Sequence, residues 1–374
     1  MQSPTLSDLD LPPRVLLGPG PSLAAPRVLR ALSAPLVGHL DPRFLALMDE
    51  VQQLLRFVFQ TQNEMTIPVS GTGSAGMEAA LCNFIEPGDR VVIAINGYFG
   101  ERMAEMAGRY GARVVRLERP WGQVFDPDEF EAALKGERTR LVALVHAETS
   151  TGALQPHIAE IAAIAHRHGA LLVLDTVTSL GGLPVEIDAW EVDISYSGSQ
   201  KCLSAPPGLA PLTVSPRARE ALRSRQTPVA NWYLDLTLLD KYWGHDRTYH
   251  HTAPISMNYA LREALRMAVE EGLEQRFARH RRNAELLWEG LEALDLPPMV
   301  PVQHRLPTLT TPSLSPSIDD LAVRKRLLDE YNIEIAGGFG PLKGKIWRIG
   351  LMGYSSRREN VTLLLAALRE ILSR

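Results

Sequence analysis

The sequence predicts an α/β protein with a mostly parallel sheet and a second, smaller domain. The chain has 374 residues, of which 45% are hydrophobic and 22% charged, and this is enough to bury more than one core. Short apolar runs alternate with amphipathic stretches between about residues 65 and 215. After about residue 255 the pattern changes to charged helix and short β-like pieces.

Five apolar runs in the first region are predicted to be strands. They are RVVIAI (90–95), ARVVRL (112–117), RLVALVHA (140–147), ALLVLDT (170–176) and ISYSGS (194–199). Helical patterns such as residues 74–89 and 158–170 lie between them, and each ends at a Gly or Pro-Gly stop signal. Because strands that alternate with helices form βα units, we expect a sheet covered on both faces.

The last part of the chain predicts a connecting helix followed by a compact α+β domain. One long charged helix is expected over residues 258–294, and a final helix over 357–373. The β-like pieces between them are residues 307–316, 333–339 and 345–353. The predicted parts are therefore an N-terminal arm (1–19), a large domain (20–270) and a small C-terminal domain (271–374).

Composition and charge narrow the possible partners to small molecules. The net charge is −4, the pI is near 6.2, and no basic run marks a nucleic-acid or anionic membrane surface. The N-terminus is not basic like that of a signal peptide, and no apolar run reaches the roughly 18 residues of a spanning helix. We expect a cytoplasmic protein, with Cys82 and Cys202 as buried free thiols and no zinc site.

One glycine-rich turn is a candidate anion site. In SGTGSAGMEAA (70–80) the backbone N–H groups of Thr72, Gly73 and Ser74 precede a predicted helix, whose N-terminus favours a phosphate. Taken alone, the turn is better explained as a plain helix N-cap by Ser74, since glycine turns before helices are common. The turn matches neither the Walker A nor the dinucleotide-binding pattern.

Two residues at neighbouring strand ends complete a recognisable set. Asp175 closes the apolar strand LLVLD, and Lys201 follows the next strand in SGSQKCLSAPPGLA. Taken singly they read as a helix N-cap and a surface lysine. Together with the anion site they are what pyridoxal phosphate requires: a phosphate cradle, an acid beside the ring nitrogen, and an amine that forms an imine.

Motifs along nearly the whole chain resemble those of the class V (fold-type I) aminotransferases, and among them the alanine–glyoxylate and serine–pyruvate or serine–glyoxylate enzymes. They include LLGPGPS (16–22), VFQTQN (58–63), SGTGSAGMEAAL (70–81), EPGDRVVIAINGYFGER (86–102), HAETSTGALQP (146–156), LDTVTSLGGLPVEIDAW (174–190), SGSQKCLSAPPGLA (197–210), YHHTAP (249–254), IEIAGGFGPLKGKIWRIGLMG (333–353) and RREN (357–360). The resemblance implies a sheet of the seven-stranded type, pyridoxal phosphate as cofactor, and a homodimer.

The same resemblance implies roles for single residues. Lys201 carries the cofactor, Asp175 pairs with the ring nitrogen, and Val177 contacts the ring face. The phosphate contacts are Thr72, Gly73, Ser74 and Gln200, joined by Tyr249 and Thr252 from the neighbouring subunit. Thr149 lies near the phenolic oxygen, Phe99 or its neighbour Tyr98 stacks on the ring, and Arg348 with Gly20 binds the substrate. Ser74 and Ala75 stand where some relatives have His-Cys, and residues 38–44 also differ.

The expected reaction is a ping-pong transamination from alanine or serine to glyoxylate or pyruvate. A lyase of the cysteine desulfurase type is the alternative within this fold, but residues 301–347 contain no cysteine to serve as its nucleophile. A binding protein that has lost the chemistry is the second alternative. No metal is expected, because neighbouring residues of an extended segment, here His250 and His251, point to opposite sides.

Overall fold

The computed structural model describes residues 6–373 of the chain. Its α-helices are α1 (Pro26–Leu32), α2 (Pro42–Phe59), α3 (Gly73–Cys82), α4 (Tyr98–Arg109), α5 (Pro127–Leu134), α6 (Ile158–Arg167), α7 (Pro216–Arg223), α8 (Leu236–Trp243), α9 (Ile255–Glu271), α10 (Leu273–Glu292), α11 (Asp320–Tyr331) and α12 (Arg358–Leu372). Its strands are β1 (Val15–Leu16), β2 (Met65–Ser70), β3 (Arg90–Ile95), β4 (Arg113–Glu118), β5 (Leu141–Val145), β6 (Ala147–Glu148), β7 (Ala153–Leu154), β8 (Leu171–Asp175), β9 (Ile194–Tyr196), β10 (Leu209–Val214), β11 (Leu309–Thr310), β12 (Ile333–Glu334), β13 (Ala336–Gly337) and β14 (Trp347–Gly350).

The central sheet has seven strands in the order β2-β10-β9-β8-β5-β3-β4. Strands β4, β3, β5, β8 and β9 pair in parallel, and β10 is antiparallel to both of its neighbours. The predicted α/β class with a mostly parallel sheet is therefore confirmed. Because β8 and β9 run in the same direction, Asp175 and the segment that follows Tyr196 leave the sheet at one edge.

Both faces of this sheet are covered, which explains the continuous apolar runs of its strands. In β3, Val91 and Ile93 belong to the core on one face, while Val92 and Ala94 belong to the core on the other. Successive side chains of a strand point to opposite faces of the sheet. When both faces are buried, both sets of side chains are therefore apolar.

A third hydrophobic cluster holds the C-terminal part together. It joins α10, α11 and α12 to the three-stranded sheet β11-β14-β13, with Trp347 fully buried at its centre. Strand β1 pairs in parallel with β12, so the N-terminal segment runs beside this cluster, to which Leu17 belongs. The domain boundaries given above stay predictions.

The single long helix expected over residues 258–294 is a wrong prediction. The chain forms α9 and α10 instead, and they are separated by Gly272 at φ +81°. A helix cannot continue through a residue with positive φ, and glycine reaches this conformation at little cost. No helix within residues 6–373 is both long and apolar enough to cross a membrane.

Candidate active site

Lys201 lies in the turn between β9 and β10 and is almost completely buried, with 9% of its surface exposed. Its ammonium group donates a hydrogen bond to the carbonyl of Pro19. Burial lowers the pKa of Lys201 to about 8, and the positive charge of Arg348 acts in the same direction. A neutral amine is therefore available near neutral pH, as a nucleophile requires.

Asp175 ends β8 and is 2% exposed. Its Oδ1 accepts from the backbone N–H of Val177 and its Oδ2 from the hydroxyl of Tyr196, each at 2.8 Å. Tyr196 faces Asp175 directly across the β8–β9 pairing. Burial raises the pKa of this carboxyl to about 7, against the two hydrogen bonds and the charge of Lys201. A cation placed beside it would favour the ionised form.

The glycine-rich turn forms the N-terminus of α3, with Thr72 as its N-cap. The Thr72 side chain makes no capping hydrogen bond, and the first N–H groups of a helix have no partner within the helix. A Cβ at Gly73 would lie 3.3 Å from Val177 Cγ2 and 3.6 Å from the carbonyl oxygen of Ser197, so the backbone approaches the strand ends closely here. The turn is shaped to hold an anion.

Two further polar groups are available at this end of the sheet. The Oε1 atom of Gln200 is buried and has no hydrogen-bond partner within residues 6–373. Ser74 Oγ lies 2.9 Å from an Nη atom of Arg102, a residue that sequence analysis missed. Arg102 lies in α4 three positions after Phe99. Because residues three apart lie on the same side of a helix, this spacing could have indicated that Arg102 faces the site with Phe99.

Phe99 and Tyr98 begin α4 and have different surroundings. Phe99 is half-buried against the large core, whereas Tyr98 is 38% exposed and its ring lies 5.0 Å from that of Phe339. The two rings meet edge to face at 5.6 Å. Which of them stacks on the cofactor stays a prediction. Because the ring of Tyr98 already packs against Phe339, we favour Phe99 as the residue that stacks on the cofactor. Thr149 is buried and shares a hydrogen bond with the hydroxyl of Thr178.

Arg348 reaches the site from β14 and is 5% exposed. Its Nε donates to the carbonyl of Gly337 at 2.8 Å, and its guanidinium carbon lies 3.8 Å from the ring centroid of Phe339. Burial lowers the pKa of Arg348 to about 10, a value that still leaves it charged at neutral pH. The N–H of Gly350, two residues after Arg348, donates to the carbonyl of Leu17 at 2.8 Å, and Pro19 in the same segment accepts from Lys201, so residues 17–20 connect β14 with Lys201.

Gly20 closes the site from the N-terminal side. It has φ +109°, and a Cβ at this position would lie 2.8 Å from Cδ and 2.9 Å from Nζ of Lys201. Only a residue without a side chain fits between the backbone and the lysine at this φ value. The structure therefore brings Gly20 to Lys201 itself.

Tyr249 and Thr252 are both exposed, and Tyr249 is 58% exposed with its ring 5.3 Å from that of His39. Their predicted contact with a neighbouring subunit stays a prediction. The expectation that His250 and His251 point to opposite sides is wrong, because their Nδ1 atoms lie 2.8 Å apart. The segment bends at His251 instead of forming a strand, so the alternation of an extended chain does not apply. Residues 6–373 contain no group of three or more ligand side chains that could hold a metal ion.

Glu148 is a second buried carboxyl that sequence analysis did not single out. It follows β5 in the quoted motif HAETSTGALQP, and it is fully buried. Oε1 accepts from the N–H and the hydroxyl of Ser150, at 3.0 and 2.6 Å, while Oε2 has no partner within the described residues. Burial raises the pKa of Glu148. Ser150 also accepts from the N–H of Tyr98 at 2.9 Å, so this carboxyl helps to fix the start of α4.

These groups fit pyridoxal phosphate. The buried carboxyl of Asp175 is prepared for a protonated ring nitrogen, and the N–H groups at the uncapped α3 N-terminus suit a phosphate group, whose oxygens accept hydrogen bonds. Residues 17–20 contact both Lys201 and the strand that carries Arg348. Sequence analysis named all four of these elements, and the structure places them together.

Comparisons with known proteins point the same way. Residues 16–361 match the family Aminotransferase class-V. The chain is 42% identical over 385 residues to (S)-ureidoglycine–glyoxylate transaminase of Bacillus subtilis, covering 98% of this chain and 92% of that protein. It is 42% identical over 368 residues to alanine–glyoxylate aminotransferase of Rattus norvegicus, covering 97% and 89%. The crystal structure of alanine–glyoxylate aminotransferase from Nostoc sp. superimposes with a TM-score of 0.97 at 55% identity, covering 98% of this chain and 97% of that chain.

Proposed function

We propose, from the premise that this chain belongs to the class V aminotransferases, that it moves the amino group of alanine or serine to glyoxylate or pyruvate. The chain is a transaminase with pyridoxal phosphate as cofactor, and the lyase and binding-protein alternatives are not supported. The observation that carries the choice of substrates is the buried guanidinium of Arg348, whose two Nη atoms have no hydrogen-bond partner among residues 6–373.

When bound, pyridoxal phosphate supplies a carbon that accepts amines and a ring that withdraws electrons from the substrate Cα. We propose that Asp175 keeps the ring nitrogen protonated, held in place by Tyr196 and the N–H of Val177. Lys201 would move a proton between the substrate Cα and the cofactor carbon that accepts the amine, away from Cα in one half-reaction and back to it in the other. Arg348 binds the α-carboxylate through its two outer nitrogens, and burial of the site excludes water.

A small substrate with one carboxylate suits this arrangement. Arg324 is the second arginine on the same side of the small domain, and its Nε and an Nη donate to Asp320 at 2.7 and 3.0 Å. Its charge is therefore compensated by Asp320, which disfavours Arg324 as the anchor for a second carboxylate of a substrate. Glyoxylate is named for both curated relatives described above, which supports it as the acceptor.

A homodimer is part of the proposal. Tyr249 and Thr252 are exposed in one chain, as expected of groups that complete the phosphate site of a second copy. Both cysteines are buried free thiols, which supports the proposed cytoplasmic location.

A panel of amino donors tests the choice of substrates. Alanine, serine, (S)-ureidoglycine and aspartate are each combined with glyoxylate, pyruvate or 2-oxoglutarate, and kcat/KM is measured for every pair. We expect alanine or serine with glyoxylate or pyruvate to exceed every pair that contains a dicarboxylate by at least about 100-fold, because a buried unpaired carboxylate is strongly disfavoured. A preference for aspartate or 2-oxoglutarate would overturn the proposal, and a preference for (S)-ureidoglycine would correct the donor.

A further inference from the structure

We propose that Phe339 is a positioning residue, which holds the guanidinium of Arg348 so that its two outer nitrogens face the substrate carboxylate. The inference rests on the proposed function, because it takes Arg348 as the carboxylate anchor. Phe339 lies in the turn between β13 and β14 and is half-buried.

The contacts of Arg348 leave one edge of the guanidinium free. Nε donates a hydrogen bond to the carbonyl of Gly337 at 2.8 Å. The Phe339 ring covers the flat face of the guanidinium, with its centroid 3.8 Å from the guanidinium carbon. Nη1 and Nη2 make no hydrogen bond to any residue between 6 and 373. These are the two nitrogens that bind a carboxylate in the bidentate geometry, so the group is presented in the orientation that the substrate needs.

An aromatic partner suits this task better than an acidic one. Arg324 shows the acidic case. Its Nε and one Nη donate to the carboxylate of Asp320, so these two donors are not available to a ligand. A ring face attracts the guanidinium and orders it, but leaves its charge and its donors for the ligand. The orienting contact and the substrate therefore do not compete.

The Phe339 ring also ties its turn to the large domain. It lies 5.0 Å from the ring of Tyr98 at the start of α4, with an interplanar angle of 42°. The next residue, Gly340, has φ +44°, and a Cβ there would lie 3.3 Å from the indole of Trp121. Contacts to Tyr98 and Trp121 fix the position of the turn, and the turn fixes the ring over Arg348.

The test compares Phe339→Leu with Phe339→Tyr and with the control Phe57→Leu. Leucine keeps an apolar side chain but removes the ring face, and tyrosine retains the ring. Phe57 lies on α2 with 43% of its surface exposed, so the control makes the same exchange outside the site. Phe339→Met is a second ring-free variant in case the leucine protein folds poorly.

Three measurements are made on each variant. On cofactor-loaded protein they are the KM values of donor and acceptor with kcat, and the Kd of propionate by calorimetry as a carboxylate that cannot react. On cofactor-free protein the Kd of pyridoxal phosphate is measured. In Phe339→Leu we expect both KM values and the propionate Kd to rise about tenfold, the size of a desolvated cation–π contact. Both substrates are affected because both carboxylates meet Arg348, while kcat and the cofactor Kd stay within about threefold, and Phe339→Tyr and Phe57→Leu stay close to wild type.

A different pattern overturns the inference. An unchanged propionate Kd in both ring-free variants shows that the ring does not position Arg348. A loss of kcat or of cofactor affinity with unchanged KM values assigns the residue to packing alone. Failure of the wild-type protein to transaminate alanine or serine is a separate result that bears on the proposed function, since propionate binding requires no turnover.

Discussion

Gly20→Ala is expected to cause a loss of activity that exceeds its effect on stability, because the new methyl group would displace Lys201. Glycine 20 has φ +109°, and the added Cβ would lie 2.8, 2.9 and 3.0 Å from Cδ, Nζ and Cε of Lys201. Strain at positive φ costs about 1–3 kcal/mol. Over 374 residues this lowers Tm by about 1–4 °C, since the entropy of unfolding is about 2 cal/mol/K per residue. A shift of the amine by about 1 Å lowers kcat about 100-fold.

Gly88→Ala is the matched control, because Gly88 has φ +92° and no atom within 4 Å of its added Cβ. It therefore carries similar backbone strain without a clash. Tm by calorimetry, kcat with alanine and glyoxylate, and the visible absorbance of the bound cofactor are compared for both variants and the wild type. Equal kcat values in Gly20→Ala and Gly88→Ala would show that Gly20 does not determine the position of Lys201.

Three further changes test single side chains and the dimer. Tyr196→Phe removes a hydrogen bond worth about 1.5–3 kcal/mol to the carboxylate of Asp175, so the pKa of that group, about 7 without cofactor, should rise by about one to two pH units. The ionised carboxylate attracts the protonated ring nitrogen, so cofactor affinity falls as the pH is lowered and Asp175 takes up a proton. Measured from about pH 5 to 9, this fall should begin at a higher pH in Tyr196→Phe than in the wild type. Superimposable curves for the two proteins would exclude a role of Tyr196 in keeping Asp175 ionised. The rate at which the cofactor-free protein takes up pyridoxal phosphate should rise with pH and be half-maximal near pH 8, where half of Lys201 has lost its proton, and a rate that does not change with pH would contradict this. Mixing Lys201→Ala protein with the Tyr249→Phe, Thr252→Ala double variant should form hybrid dimers that are more active per subunit than either parent. Hybrid dimers no more active than the parents would show that Tyr249 and Thr252 act on the phosphate site of their own chain.

Much of the fold could be predicted because buried strands and their ends leave strong local signals. The run of β3 is apolar on both faces, and its predicted bounds, 90–95, agree with the structure. Asp175 and Lys201 were recognisable in combination, because a candidate anion site, a carboxyl and an amine all fall at the ends of predicted strands. Their closeness in space then follows from the parallel direction of β8 and β9.

Contacts between distant parts of the chain could not be predicted. Gly272 was itself a local stop signal that the prediction of one long helix overlooked, but the direction that α10 then takes to meet the third cluster depends on contacts between distant residues. Glu148 lay inside a quoted motif, but its role at the start of α4 needs Ser150 and Tyr98 to meet. The stacking of Phe339 on Arg348 likewise arises from a turn between two short strands, where sequence periodicity is absent.

Borohydride reduction of the cofactor-loaded enzyme, followed by peptide mapping, tests most directly whether Lys201 carries the cofactor. The mass of the reduced pyridoxyl phosphate should appear on the peptide that contains Lys201. It should be largely lost when alanine is added before reduction without an acceptor, because the amino group of the donor then replaces the lysine. Label on another lysine, or no label in protein that retains the cofactor, would contradict the assignment.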